Sequence, residues 1–298
     1  MTTPCSSAVA PTTEKTALVV ASGGDVDELL THVLESQGWS IQRVDDNQHI
    51  LPLAMAKQFD LIVTGQKTRA VDDVELLRKI RGARPHVRLI ILTDKFIPGD
   101  VVSAMREGAF SYFSAPFEAS ELAEMVRAAM AEPCWDDGIE VLSGTPEWLT
   151  LTARCDLATA DRLVQFLRGV KDPSLPETEK DQIIVAFKEI LINAMEHGCH
   201  FDPSQHVQIS FIRARRVIAC RVKDPGQGFS LEELRHAAAG STPDDLLRHA
   251  TVRDEQGLRP GGFGILLAKN LVDELIYNEN GNEVVLVKYL NPPQAPII

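Results

Sequence analysis

Residues 188–198, KEILINAMEHG, set a carboxylate, an amide and an imidazole four residues apart, at Glu189, Asn193 and His197. That spacing puts the three side chains on one stripe of a helix. The apolar repeat runs elsewhere, through Ile183, Ile184, Phe187, Leu191 and Ala194, so this stripe is not the packing face. Asn and His are mediocre helix formers, and neither is needed for solubility. The helix breaks at Gly198. Two glycine-bearing stretches follow. KDPGQGF, 223–229, ends a strand with Asp224 and continues with Gly226 and Gly228; GGFGILLAKNL, 261–271, puts Gly262 and Gly264 at a helix start. Glycines there let backbone N–H groups approach an anion, and the helix N-terminus adds a favourable dipole. Singly these features are ordinary: a glycine cluster is most often a turn, Glu189 and Asn193 suit a solvated face, and an Asp before Pro-Gly is common turn chemistry.

The elements that must position them are grouped by type. WLTLTARC alternates as a strand, LATADRLVQFLRGV follows as an amphipathic helix, and LPETEKDQIIVAFKEILINAMEHG is a long helix with Pro176 and Thr178 near its start. HVQISFIRARRVIACRVKD reads as two antiparallel strands broken near Arg215 and Arg216. A polar stretch from Ser230 to Pro260 precedes the helix GGFGILLAKNLVDEL, and NENGNEVVLVKYL is a turn and final strand. Such grouping implies an α+β sandwich with helices on one face. The first half instead alternates: strands TALVVAS, FDLIVTG, VRLIILT and FSYFS, with helices DVDELLTHVLESQG, VDDVELLRKIRGARP, PGDVVSAMREG and EASELAEMVRAAM between and after them. Strand–helix alternation implies an α/β fold, a parallel sheet with helices on both faces. The expected division is a flexible Ser/Thr/Pro-rich lead-in at 1–15, a first domain at 16–131, a linker at 132–144, a second domain at 145–290 and a tail at 291–298.

Composition bounds the function. A chain of 298 residues, 44% apolar and 24% charged, suits two globular domains. A net charge of −12 argues against bulk electrostatic binding to nucleic acid or anionic membrane, though not against one anionic ligand in a local pocket. Cys5, Cys134, Cys155, Cys199 and Cys220 form no CxxC pair, which fits a reducing cytosol. No apolar run is long enough to span a bilayer, and the lead-in lacks a secretory core, so the expected location is cytoplasmic.

ExxxNAxxHG, DPGQGF and GGFGxxLAxxLVDE, in this order over residues 145–290, resemble the nucleotide-binding motifs shared by gyrase, heat-shock chaperone, histidine-kinase and mismatch-repair ATPases, the GHKL or Bergerat fold. NAMEHG and GGFGILLAKNLVDEL are most similar to the anti-sigma-factor serine kinases. WLTLTARC enters the module directly, leaving no room for the helical hairpin that carries the phospho-accepting histidine in histidine kinases. The resemblance implies ATP and Mg²⁺ as cofactors, with Asn193 as metal ligand and Glu189 as catalytic base. It further implies Asp224 as acceptor for the adenine amino group, Gly226 and Gly228 wrapping the base, and Gly262 and Gly264 bringing backbone donors to the phosphates. His197 has two open roles, near the phosphates or as a cap on the helix end, and the cap is the favoured one. Residues 230–260 would form the lid, with Arg235, Arg248, Arg253 and Arg259 as candidates to reach the γ-phosphate. Two departures stand out: this lid is longer than usual for anti-sigma kinases, and Asn282 replaces a common threonine near the adenine site.

Residues 16–131 resemble a response-regulator receiver of flavodoxin-like fold, through the strand–helix order, DLIV before a loop, ILT ending at Thr93, and APF at 115–117. Receiver chemistry needs an acidic pair, a phospho-accepting aspartate and a lysine; the matching positions hold Ala21 with Ser22, Gly65, and Ala115. Neither glycine nor alanine can accept or pair with a phosphoryl group. The domain is therefore expected to serve interaction or dimerisation, a homodimer being one arrangement. The resemblance implies a protein serine/threonine kinase acting on an anti-anti-sigma-type antagonist, with a sigma factor or another regulator as second client. Two alternatives stay open: a nucleotide-dependent sequestering protein with little turnover, and a histidine-kinase-like catalytic subunit serving a separate acceptor. Because all three nucleotide motifs lie beyond residue 145, ATP binding is expected to survive removal of the first domain.

Overall fold

The computed structural model describes residues 15–21, 23–95, 97–131, 138–169, 175–228 and 264–290. In the first half, strands β1 (Thr16–Val20), β2 (Ser40–Val44), β3 (Leu61–Val63), β4 (Arg88–Thr93) and β5 (Ser111–Ser114) form one parallel sheet in the order β2-β1-β3-β4-β5. Four of them, β1, β3, β4 and β5, are buried along their whole length, as expected of strands covered on both faces. Helices α1 (Asp25–Ser36) and α5 (Ala119–Ala131) cover one face through Leu30, Leu34, Leu122 and Val126. The other face is covered by α2 (Ile50–Ala56), α3 (Ala70–Ala83) and α4 (Pro98–Arg106), through Ile50, Leu77, Ile80, Val101 and Met105. Two of these elements, β2 and α2, were not expected from the sequence. β2 is a half-exposed edge strand with no unbroken apolar run, and α2 is a short helix with Pro52 in its first turn and only Ile50 and Ala54 buried.

The second half is a six-stranded antiparallel sheet in the order β10-β11-β9-β8-β7-β6. Its strands are β6 (Ile139–Thr145), β7 (Trp148–Arg154), β8 (His206–Ala214), β9 (Val217–Lys223), β10 (Glu274–Tyr277) and β11 (Glu283–Tyr289). Helices α6 (Leu157–Gly169), α7 (Glu177–Asn193) and α8 (Gly264–Leu271) belong to the same half. Period-two burial sends Leu149 and Leu151, Val207 and Ile209, Ile218 and Cys220, and Val284 and Leu286 into a core shared with Leu163, Phe187 and Leu191 of the helices. This is the expected α+β sandwich with two revisions. β6 occupies the second half of the stretch read as linker, where it pairs with β7. The glycine-opened helix ends at Leu271, and ELIY becomes β10, placing Leu275 opposite Leu286 and Tyr277 opposite Val284.

The two halves share one core, in which Val101 and Met105 of the receiver-like half belong to the same buried cluster as Leu149, Leu163 and Phe187. Arg162 of α6 is only 2% exposed. Its guanidinium donates to the Phe110 and Ala109 carbonyls at 2.9 and 3.1 Å and lies 5.0 Å from the Phe110 ring centroid. Arg168 pairs with Glu121 at 3.0 Å, and Arg106 donates to the Gly144 carbonyl at 3.2 Å. Gly144 leaves no room for a side chain, since an added Cβ would lie 2.9 Å from Leu149 Cδ1 and 3.0 Å from Val102 Cγ1. Removing the first half would therefore expose part of α6, and Lys188 of α7 is tied to Asp161 of α6 at 2.9 Å, so the packing links the first half to the helix that carries Glu189 and Asn193.

Candidate functional site

α7 begins with Glu177 and Glu179, which suit a helix N-terminus, and buries Ile184, Phe187, Ile190 and Leu191. Glu189 and Asn193 therefore emerge half-buried on its other side, near the C-terminal end. The helix then widens into a π turn over Ala194–Gly198. Gly198 has to lack a side chain, because an added Cβ would lie 2.2 Å from Asp224 Cγ. Asp224 follows β9 and is itself half-buried; its Oδ1 accepts from the Gly226 N–H at 2.9 Å, and burial pushes its carboxyl pKa up. Gly228 has φ +74°, and a Cβ there would lie 1.8 Å from the Asn280 carbonyl oxygen.

α8 closes the arrangement. A Cβ on Gly264, its first residue, would lie 2.6 Å from Glu189 Oε2 and 3.3 Å from Asn193 Nδ2. Glu189 and Asn193 thus face the end of α8 where backbone N–H groups have no helical partner. Beside them opens a cavity of about 610 Å³, a size that accommodates a small-molecule ligand. Asn193, Asp224, Gly226 and Gly228 all line it. His197, expected as a helix cap, lines the cavity wall as well. Gly262 and the stretch 230–260 with its arginines lie outside the described residues.

Three contributors had not been foreseen. Gly198 was read as a helix stop and as the last residue of ExxxNAxxHG, with no contact assigned to it, yet it is what lets α7 approach Asp224. His200 lines the cavity with a left-handed backbone, φ 53°, which His adopts more readily than most residues, and the following Phe201 has φ 51°, which its residue type does not signal. Tyr277 lines the cavity from β10, whose first two residues had been read as the end of the preceding helix, and burial pushes its hydroxyl up to about 12. Asn282, noted as a departure, donates through Nδ2 to the Gly226 and Asp224 carbonyls at 3.1 and 3.4 Å.

The site fits a nucleotide with a hard divalent ion. Among the described residues no cluster of three or more His, Cys, Asp or Glu is arranged to hold a metal alone. The Asn193 side-chain amide, close to a helix N-terminus, carries a hard oxygen of the kind Mg²⁺ accepts, and Mg²⁺ takes most of its remaining ligands from phosphate and water. Among the described residues the receiver-like half has no comparable group of side chains. A Cβ at Gly65 would lie 2.7 Å from Val20 Cγ1, so the position of the missing acceptor is filled. Of the two acids that follow on α3, Asp72 is exposed and paired with Arg69 at 2.7 Å, and Asp73 is fully buried and hydrogen-bonded to Thr68 and Asn47.

Known proteins agree with this division. Residues 18–127 match the response regulator receiver domain, and residues 153–288 match the histidine kinase-like ATPase domain. The chain is therefore a receiver domain followed by a histidine kinase-like ATPase domain. Response regulator MprA of Mycolicibacterium vanbaalenii is 26% identical over 162 residues, covering 54% of this chain and 67% of that protein. Serine-protein kinase RsbW of Oceanobacillus iheyensis is 27% identical over 111 residues, 37% of this chain and 65% of RsbW. The crystal structure of a CheY-like receiver from Methanospirillum hungatei JF-1 matches with TM-score 0.34 at 22% identity, over 39% of this chain and 92% of that one. Among the described residues no helix is long and apolar enough to cross a membrane.

Proposed function

We propose that the chain is an ATP-dependent protein serine/threonine kinase of the partner-switching kind, acting on a small anti-anti-sigma-type antagonist. A sigma factor or another regulator is its second client, and the receiver is a module without phosphoryl chemistry. The observation that carries the reading is the convergence of Glu189 and Asn193 on Gly264, at the open end of α8, beside a cavity that also holds Asp224. The similarity of the ATPase domain to a serine-protein kinase supports the choice of acceptor.

Each residue has a separate task in this account. Asp224 accepts a hydrogen bond from the adenine amino group, and the Gly226 N–H on its Oδ1 holds the carboxylate in place. Gly226 and Gly228 let the chain close on the base, while Gly262 and Gly264 present N–H groups to the phosphates. Asn193 offers its amide oxygen to Mg²⁺, which when bound offsets charge on the transferring phosphoryl group. Glu189 takes the proton from the attacking serine or threonine hydroxyl. A pure binder has no need of a carboxylate at this place, so the position of Glu189 favours turnover over sequestration alone. The test is to incubate the purified chain with labelled ATP and antagonists encoded beside it. Acid-stable phosphoserine or phosphothreonine on an antagonist supports the reading, whereas acid-labile phosphohistidine overturns the proposed specificity.

A further inference from the structure

The turn between β10 and β11 reaches across to the end of β9 through a directed chain of amides. The Glu283 N–H can only donate, and it meets Asn278 Oδ1 at 3.1 Å. That fixes the Asn278 side chain with its NH₂ group toward Asn282, whose Oδ1 accepts at 2.8 Å. Asn282 must then turn its own NH₂ group to the two backbone carbonyls it meets, Gly226 at 3.1 Å and Asp224 at 3.4 Å, which can only accept. The Asn282 main chain closes the loop, its carbonyl accepting from the Asp224 N–H at 3.0 Å. Each end of the relay is a backbone group of fixed polarity, so neither amide can flip without breaking it. Asn282 spends its side-chain NH₂ group on the protein backbone.

We propose that Asn282 is a positioning residue for Asp224, oriented by Asn278 and acting through the carbonyls of the 224–226 turn. The inference rests on the reading of Asp224 as the base-recognition group. Asp224 and Gly226 form a tight turn closed by the Gly226 N–H on Oδ1, so pinning both carbonyls fixes the direction of the carboxylate. The relay is half-buried, where an amide hydrogen bond has few water competitors. What the relay governs is discrimination between bases, while phosphate and metal affinity stay with α7 and α8.

Inosine triphosphate tests this, because it carries a carbonyl oxygen in place of the exocyclic amine of ATP. The full chain should prefer ATP by about ten- to a hundredfold, the range expected for one buried charge-assisted hydrogen bond. Asn282→Ala should shrink that preference to about threefold or less, mainly by weakening ATP, with inosine triphosphate bound nearly as before. Asn278→Ala, further from the turn, should act in the same direction by a smaller factor, and the double variant should be no worse than Asn282→Ala. Thermal unfolding of both variants guards against simple loss of fold, which would weaken both nucleotides together. An unchanged ATP preference in Asn282→Ala, or equal loss of both nucleotides, overturns the positioning role. A wild-type chain without preference overturns the base-recognition reading itself and this inference with it.

Discussion

Asp73→Asn should raise the stability of the protein above neutral pH and flatten its pH dependence. Asp73 is fully buried on α3, and burial raises its carboxyl pKa to about 7 from the usual 3.8. The hydrogen bonds agree with a protonated acid. Thr68 Oγ1 lies 2.5 Å from the Gly65 carbonyl and 2.8 Å from Asp73 Oδ2, and a hydroxyl has one proton for these two contacts. The Gly65 carbonyl can only accept, so the other contact is satisfied when Asp73 donates. Below pH 3.8 the folded and unfolded chains both hold this proton. Between 3.8 and about 7 only the folded chain holds it, so stability falls as pH rises through this window and is level above it. A shift of about three units corresponds to about 4 kcal/mol at most. Asparagine keeps an oxygen for the Asn47 amide and gives an NH₂ group to Thr68, matching the protonated acid without its titration. Denaturant unfolding of wild type and variant at pH 5 and pH 8 measures the effect: the variant's advantage should grow with pH. Equal pH dependence in the two proteins, or a variant less stable at pH 8, refutes the reasoning.

Three further outcomes follow from the packing. Gly264→Ala should keep or raise the melting temperature, because a helical position favours Ala by up to about 1 kcal/mol. The same methyl displaces the Glu189 carboxylate, so phosphoryl transfer should fall about ten- to a hundredfold; equal activity would mean Glu189 has no fixed role there. Acetyl phosphate or beryllofluoride should leave the receiver unchanged, and mass spectrometry finding a base-labile phosphoryl group within 16–131 would contradict this. A fragment starting at residue 138 uncovers Gly144, Arg162 and Arg168, and calorimetry should show it melting well below the full chain. Equal melting temperatures and equal ATP affinity would show the shared core to be dispensable.

What could be read from sequence was the part governed by local pattern. β1, β3 and β4 are apolar runs because they are covered on both faces, and Glu189, Asn193 and Asp224 announced themselves by spacing next to glycines. The rest depends on contacts between distant segments. Thr159, Arg162 and Gln165 fall three residues apart on α6 and look like a solvent-facing stripe, yet all three are buried and Arg162 is buried against the receiver. β10 was hidden because LVDEL continues the helical period, and only pairing with β11 decides that Leu275 belongs to a strand. The role of Asn282 follows from the register that sets Glu283 opposite Lys223, which no local pattern encodes. Gly198 looked like a helix end; its neighbour Asp224 lies 26 positions on in the chain.

The central claim is that Glu189 performs chemistry while Asn193 holds the metal. It is tested by measuring ATP affinity with and without Mg²⁺ alongside phosphoryl transfer, in Glu189→Gln and Asn193→Ala. Glu189→Gln should bind Mg·ATP as wild type does, with transfer reduced about a hundred- to ten-thousandfold, the usual effect of a missing base. Asn193→Ala should lose affinity chiefly when Mg²⁺ is present, and lose transfer with it. Full transfer by Glu189→Gln, or an Asn193→Ala variant whose ATP affinity responds to Mg²⁺ as wild type does, would contradict the account.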